Sequence, residues 1–316
     1  MNLKPLDQGI YRLDVEYVMP GVACLYLMIQ RGKLCIIETG TTLSLPIVQK
    51  AIASLGLGFD DVAYIIPTHI HLDHAGGAGA LMQKCPQAKL IVHPRGAAHM
   101  ADPSRLIAGT IAVYGEDNYQ RLYGEVIAVA ADRMIIAEDG MRLDFNGRIL
   151  EFIDTPGHAL HHFCVVDALS KGVFTGDTFG ISYPQLNTPA GPFIFATTTP
   201  THFDPDAMLA SIDRILAREI QWLFLTHFGM VEVTDRLISQ LKHSVIDQAA
   251  LALPEKGSPE GRVDRLQGRI FELFMAALKA DGGEQSQTWY QQQLSPDCLL
   301  NAQGLDAWLR RLEKSD

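Results

Sequence analysis

Pro67-Thr68-His69-Ile70-His71-Leu72-Asp73-His74-Ala75-Gly76-Gly77 is the stretch whose reading decides the fold. Four side chains able to bind a metal fall between His69 and His74. Ahead of them runs Val62-Ala63-Tyr64-Ile65-Ile66, apolar, partly β-branched and of strand length. Behind them come two glycines and then Ala78 to Lys84, which reads as the start of a helix. The cluster therefore occupies a strand-to-helix loop, a usual place for chemistry on a rigid scaffold. His69 and His71 are two apart, so an extended backbone points both the same way; the spacing is not that of two ligands on one helix face. Asp73 and His74 follow the turn and can face a second point in space. One loop can thus offer ligands to two adjacent metal ions.

Upstream of this loop the sequence reads as paired strands. Ile10 to Val15 alternates, and Ala23 to Gln30 and Lys33 to Ile37 flank the short turn Arg31-Gly32 as in a hairpin. Glu38-Thr39-Gly40 closes the second of these, and Leu45 to Leu55 has helical periodicity stopped by Gly56 and Gly58. Downstream, Lys89 to His93 is another strand. Residues 95–137 are less regular and helical in parts, with Tyr114, Tyr119 and Tyr123 either packing a surface helix or forming a lid whose rings meet a substrate. Asn146-Gly147 joins strands at Met141 to Phe145 and Arg148 to Ile153. Asp154-Thr155-Pro156-Gly157-His158 follows directly. Phe163 to Val166 and Gly172 to Thr175 are short strands, the second leading into Gly176-Asp177-Thr178. Residues 180–205, with Pro184, Pro189, Pro192, Pro200 and Pro205, read as a long irregular loop of the kind that often serves function. Met208 to Glu219 is an amphipathic helix, Ile220 to Leu225 a strand, and Thr226-His227-Phe228-Gly229 follows it. Beyond 231 the pattern turns helical, over Thr234 to Leu253, Glu260 to Ala280 and Leu305 to Glu313. This places a boundary near 230, with a helical extension over 231–316 that packs on its own domain or closes a homodimer.

The chain has 316 residues, 47% hydrophobic and 20% charged, an ordinary globular composition with room for a large core. Its 26 basic and 36 acidic residues give a net charge of −10 and no Lys/Arg block, which argues against a nucleic-acid polymer as partner. A nucleotide-sized substrate stays open, because bound metal makes a site locally positive. Met1 to Ile10 has no run fit for a signal peptide, and no stretch approaches the roughly 20 apolar residues of a membrane span. Cys24, Cys35, Cys85, Cys164 and Cys298 are scattered, without a CxxC pair, and read as reduced and mostly buried. The expectation is a cytoplasmic protein with a small-molecule substrate.

Through residues 1–230, strands end in turns, and several turns carry potential ligands: His69, His71, Asp73 and His74, then His158, then Asp177, then His227. Imidazoles with two carboxylates and no thiolate suit zinc or iron ahead of manganese or nickel. His93, His99, His202 and His243 read as structural or merely exposed. His161 and His162 follow His158 closely and are at most supporting residues. Thr68-His69-Ile70-His71-Leu72-Asp73-His74 resembles the signature of the metallo-β-lactamase superfamily, and Thr155-Pro156-Gly157-His158, Thr175-Gly176-Asp177-Thr178 and Leu225-Thr226-His227 match its later motifs in order. The resemblance spans about residues 10–230. It implies an α/β fold, a four-layer αβ/βα sandwich with the site along one edge of two sheets, and makes 1–230 the catalytic domain. Position by position it implies that His69, His71 and His158 bind one metal, that Asp73, His74 and His227 bind a second, and that Asp177 bridges them. Glu38 departs from the family's usual aspartate at that strand end, which either shifts the support of a ligand histidine or is neutral.

The implied chemistry is hydrolysis by a hydroxide held between two divalent ions, zinc first, with iron or manganese as alternatives. Even one zinc lowers the pKa of its water to about 7. Asp73 would orient that hydroxide and pass a proton to the leaving group. A small ester, thioester, lactone or phosphodiester is the expected substrate. Thiolesterases of the glyoxalase II type share Thr175 to Thr178 but continue with a Cys-Gly segment that this chain lacks. Acyl-homoserine lactonases share the His-x-Asp-His-Ala-Gly-Gly run and often use a tyrosine after the bridging aspartate, a place Tyr183 can fill. The alternatives are a mononuclear iron dioxygenase of the persulfide type and a regulatory or interaction module with little turnover.

Overall fold

The computed structural model describes residues 1–315. Contacts along the chain divide it into two compact units. One comprises Met1–Asp154, His161–Gly176 and Ile220–Met230; the other comprises Thr155–Leu160, Asp177–Glu219 and the chain from Val231.

The first unit is built on two sheets. Strands β1 (Leu3–Pro5), β2 (Ile10–Asp14), β3 (Cys24–Gln30), β4 (Lys33–Ile37), β5 (Val62–Ile66), β6 (Lys89–Val92) and β7 (Met134–Ile136) lie side by side in sequence order. Pairing is antiparallel from β1 to β4 and parallel from β4 to β7. The switch follows from the connections. Arg31 and Gly32 reverse the chain in two residues, whereas β4 to β5 and β5 to β6 are long crossovers that contain helices. The second sheet runs β8 (Arg142–Phe145), β9 (Arg148–Asp154), β10 (Phe163–Asp167), β11 (Gly172–Gly176), β12 (Trp222–Leu225) and β13 (Gly229–Glu232), with β13 and β8 as its edges. Within it β11 and β12 pair in parallel, whereas β8 to β11 pair antiparallel. The sheets meet face to face at Tyr26 of β3, whose ring stands edge-on to Phe174 of β11 at 5.1 Å and Phe224 of β12 at 5.5 Å.

Helices α1 (Leu45–Ser54), α2 (Leu72–Ala75), α3 (Ala78–Lys84), α4 (Pro94–Ala101), α5 (Ser104–Tyr114) and α6 (Glu116–Tyr123) complete this unit. Val48, Ala51 and Ile52 of α1, Leu81 and Met82 of α3 and Met100 of α4 pack with buried strand residues such as Leu27, Ile36, Ile65 and Leu90. The segment after His93 is more regular than its sequence suggested, with three short helices in succession. Parallel strands place their carboxyl ends at one edge, so the turns after β4, β5 and β12 can converge.

The second unit contains the irregular 180–205 segment, as read, with a short turn of 3-10 helix at Pro184–Leu186 and an isolated bridge between Ile181 and Phe195. It also holds helices α7 (Pro205–Leu216), α8 (Asp235–Ala252), α9 (Arg262–Ala280) and α10 (Gln287–Ser315). Here the sequence reading needs correction, because the last helix is 29 residues long and begins well before Leu305. Pro296 lies inside it and hides it from a propensity argument. Helices α8 and α9 and the Phe193–Phe195 segment line a cavity of about 310 Å³, which none of the residues singled out as ligands enters. Among the described residues no helix is long and apolar enough to cross a membrane.

Candidate metal centre

The histidine loop is fixed before its imidazoles do anything. Ile70 and Leu72 are buried, so the intervening side chains are held by apolar anchors on either side. The Phe163 N–H donates to the Thr68 carbonyl at 3.0 Å, and the His71 carbonyl accepts from Ala75 N–H at 2.8 Å to start the single turn of α2. Gly176 closes the neighbouring strand end. A Cβ there would lie 2.4 Å from Thr68 Oγ1 and 2.5 Å from His162 Nε2, so only glycine lets these groups approach.

Glu38 is the hub of this edge. It is 1% exposed and adopts a left-handed backbone with φ of 66°, uncommon for a residue with a side chain. Its Oε2 accepts the Thr68 N–H at 3.1 Å, and its Oε1 accepts the Thr68 hydroxyl at 2.6 Å and the Thr226 hydroxyl at 2.9 Å. His74 Nδ1 completes the set at 3.0 Å from Oε1. One carboxylate thus joins the ends of β4, β5 and β12. It also fixes a tautomer, because a carboxylate partner puts the proton on His74 Nδ1 and leaves the lone pair on Nε2.

The same logic applies to His227. Its Nδ1 lies 2.8 Å from the Val22 carbonyl, which can only accept, so its Nε2 also carries a lone pair. The two Nε2 atoms face each other at 3.3 Å, and Asp73 Oδ2 lies 3.7 Å from one and 3.4 Å from the other. Two imidazole nitrogens and a carboxylate oxygen thus converge on one point. They suit a shared divalent cation, and their ligand atoms all lie within 4.8 Å. His69 shows the pattern again. The Thr68 hydroxyl proton is committed to Glu38, so Thr68 Oγ1 accepts from His69 Nδ1 at 3.2 Å, and His69 Nε2 faces His71 Nδ1 at 2.9 Å.

The first unit therefore gathers His69, His71, Asp73, His74 and His227. The second unit gathers His158 and Asp177, both buried, with His158 Nε2 3.4 Å from Asp177 Oδ2. The Thr178 hydroxyl donates to the Thr155 carbonyl at 3.1 Å and ties the turns that carry the pair. Tyr183 is buried in the second unit, where its hydroxyl donates to the Asp297 carboxylate at 3.1 Å. His161 and His162 both join the first unit's cluster. His161 Nδ1 accepts from the Ile70 N–H at 3.4 Å, and His162 stacks on His69 with ring centres 4.9 Å apart.

Sequence reasoning missed two participants. Thr226 stands inside a quoted motif but was not singled out, and the Val22 carbonyl is a backbone group that leaves no sequence signal. Behind the edge, the Tyr26 hydroxyl donates to the Leu225 carbonyl at 2.6 Å, and burial above all raises its phenol well above the ordinary range. Burial likewise pushes the Cys24 thiol up to about 12, so this cysteine is no nucleophile. All five cysteines are buried and unpaired with one another.

Comparison with known proteins gives a consistent picture. A sequence model described as the metallo-beta-lactamase superfamily matches residues 20–227. The metallo-beta-lactamase fold-containing protein ST1585 of Sulfurisphaera tokodaii is 27% identical over 229 residues, covering 71% of this chain and 80% of that protein. Its crystal structure aligns over 75% of this chain and 85% of its own, at 24% identity and a TM-score of 0.60. The metallo-beta-lactamase family protein TTHA1429 of Thermus thermophilus aligns over 97% of this chain and 94% of its own, at 19% identity and a TM-score of 0.63. A B3 metallo-beta-lactamase with an active-site glutamic acid aligns over 81% and 91%, at 18% identity and a TM-score of 0.56. At these identities the structural likenesses establish the fold.

Proposed function

We propose that this chain, which belongs to the metallo-β-lactamase superfamily, is a hydrolase of a small ester, thioester, lactone or phosphodiester that works with two divalent metal ions. The observation that carries the reading is the pair of imidazole Nε2 atoms, of His74 and His227, facing each other at 3.3 Å beside Asp73. In this reading Asp73, His74 and His227 would hold one ion, His69 and His71, joined by His158, would hold the other, and Asp177 would serve both. Zinc suits this donor set best, with iron or manganese next. The ions would acidify a shared water and polarise the substrate's carbonyl or phosphoryl oxygen.

The chain's own residues do the rest. Glu38 keeps the His74 proton on Nδ1 and so keeps Nε2 available. Asp73 orients the attacking water with one oxygen and receives its proton, which it passes to the leaving group. Tyr183 borders the substrate through the ordered segment 180–205. Retention of His74, His227 and Asp73 together favours two ions over the single iron of a dioxygenase.

The test is metal analysis of the protein purified without added metal, paired with Asp177→Ala. Two divalent ions per chain and turnover of an ester, thioester, lactone or phosphodiester are expected. Asp177→Ala should lose at least one ion and about a thousandfold in turnover, the upper range for removing a group that stabilises reacting charge. One iron per chain with oxygen uptake on a persulfide would replace the hydrolase with a dioxygenase. A wild-type protein that refuses metal would turn the reading toward an interaction module.

A further inference from the structure

The cavity between α8 and α9 lies wholly within the second unit, and none of the proposed metal ligands lines it. Its walls differ in chemistry. On α8, Arg236, Ser239, Gln240, His243, Ser244 and Asp247 share one helix face, and all are polar. On α9, Leu273, Ala277 and Ala280 present an apolar face, and the two alanines leave room that longer side chains would fill. Phe193, Phe195 and Phe274 close the floor; each is buried, and the Phe195 and Phe274 ring centres lie 4.7 Å apart. At about 310 Å³ the space is near the lower end for small-molecule sites, roughly 300–1,000 Å³, and suits one ring with a short chain.

The strong donors of the polar wall are already engaged. Arg236 donates from Nη1 to Asp281 Oδ2 at 3.0 Å and from Nη2 to the Pro192 carbonyl at 2.7 Å. The Gln240 amide nitrogen donates to the same Asp281 oxygen at 2.7 Å, and its carbonyl oxygen accepts the Ile194 N–H at 2.9 Å. The Ser244 hydroxyl oxygen accepts the Ala196 N–H at 3.0 Å. These bonds cancel Arg236 against Asp281 and tie the floor to α8. The acceptors of the wall are left open. His243 Nδ1 lies 2.7 Å from the Ser239 carbonyl, which puts the proton on Nδ1 and leaves the lone pair on Nε2. Asp247, one turn further on and half-buried, has no hydrogen-bond or ion-pair partner among the described residues. Lys242, earlier on the same helix, is taken by Asp213 of α7 and does not neutralise it. The cavity therefore keeps one uncompensated negative charge above an aromatic floor.

We propose that the α8–α9 cavity is a binding site for a small ammonium compound with an aromatic body, its ring toward the phenylalanine floor and its charge on Asp247. An anion would bring its charge beside Asp247 with the guanidinium donors of the wall already spent. A hydrocarbon would cover the carboxylate without giving it a donor, which is costly. An ammonium group supplies N–H donors to Asp247 and to His243 Nε2, and a charge-assisted bond is the stronger kind. The ring meets aromatic and small apolar side chains, with which it packs favourably. The site goes beyond the hydrolase reading and is independent of it, because it shares no residue with the proposed ligand set.

The experiment titrates the full chain with phenethylamine, phenethyl alcohol and phenylacetate, which share a ring and differ in charge. Binding is read from the labelled methyl signals of Ala277 and Ala280 by NMR, so only occupancy of this cavity counts. Phenethylamine is expected to shift both signals saturably and to bind about tenfold more tightly than the alcohol, the lower end for a hydrogen bond to a charged group because water reaches Asp247. Phenylacetate should bind most weakly. Asp247→Asn keeps the shape and removes the charge, so it should bring the amine down to the affinity of the alcohol and leave the alcohol unchanged. In the wild type, added salt should narrow the preference for the amine, a reading that needs no variant. Methyl signals indifferent to all three probes would remove the site. An alcohol or carboxylate that binds as tightly as the amine, an amine preference untouched by salt, or an Asp247→Asn chain that holds the amine as the wild type does, would overturn the ammonium assignment. None of the probes is hydrolysed, so a failure here leaves the hydrolase reading standing, and a protein without turnover leaves this test intact.

Discussion

The histidine loop and helix α10 are both anchored by buried polar side chains, but the two networks end differently. Around the loop, Glu38 collects the Thr68 and Thr226 hydroxyls and His74 Nδ1, and the chain of bonds leads outward to the Nε2 atoms of His74 and His227, which face each other at 3.3 Å. On α10, Asn301 closes a network on itself. Its amide nitrogen donates to the Ala196 carbonyl and the Gln248 carbonyl oxygen, both at 3.0 Å, and its carbonyl accepts the Thr198 N–H at 2.9 Å. The Thr198 hydroxyl donates to the Asn301 backbone carbonyl at 2.8 Å. A satisfied network of this kind fixes a packing arrangement. One whose nitrogen and carboxylate atoms converge within 4.8 Å of one another, opening toward a common point, presents a candidate ligand set. The difference separates residues that should answer to metal from residues that should answer only to denaturant.

Glu38→Gln tests the open network most severely. A neutral amide offers an acceptor on one side and a donor on the other, where Glu38 accepts on both. The misplaced donor would face the Thr68 N–H or His74 Nδ1–H and release the His74 tautomer. Metal affinity, read by competition with a chromogenic chelator, should fall about 10–100-fold, the usual cost of losing such a support. Glu38→Asp, shorter by one methylene, should lose less. Equal affinity in wild type and Glu38→Gln would make the hub a packing device like Asn301 and erase the contrast.

Gly304→Ala is the matching test on α10, with a smaller effect. In an isolated helix alanine is better than glycine by about 1 kcal/mol. Here a Cβ would sit 1.5 Å from the Thr198 carbonyl oxygen and 2.5 Å from its carbon, so the helix must move away from the backbone it packs on. Overpacking of this kind costs about 1–3 kcal/mol, which reverses the sign of the propensity gain. Urea unfolding should show a lowered midpoint, with metal content per folded chain intact. A stabilised variant would mean that α10 is held more loosely than this contact implies.

These two regions also mark what could be read from the chain alone. The histidine loop was legible as a candidate metal site because few residue types bind divalent ions, and because strands with β-branched runs announce where the turns fall. Val62 to Ile66 forms its strand as read, and the His69 to His74 turn follows it. The hub was half legible. Glu38 stood out at its strand end, but Thr226 is 188 residues away and the Val22 partner of His227 is 205 residues away, separations no local pattern records. Helix α10 was legible only in its last third, because Pro296 and Gly304 lower its intrinsic propensity and its partners Ala196, Thr198 and Gln248 lie far upstream. The grouping of 155–160 and 177–219 with the helical tail has the same cause. It is made by tertiary contacts, and the chain passes through it between strands of the other unit.

Tyr183→Phe lies between the two cases and should have the smallest effect. The hydroxyl donates to Asp297 on α10, so its removal costs a hydrogen bond to a half-buried carboxylate that water can replace. A stability loss of about 0.5–1 kcal/mol is expected from that bond alone. If the tyrosine also borders the reacting carbonyl, kcat on the best ester should fall several-fold while metal content and Glu38-dependent affinity stay as in wild type. A fall in kcat would place Tyr183 with the open network, as a group whose bond to Asp297 sets its position for the substrate. Unchanged kinetics with the stability loss intact would place it with Asn301, as one more clasp between α10 and the segment it covers.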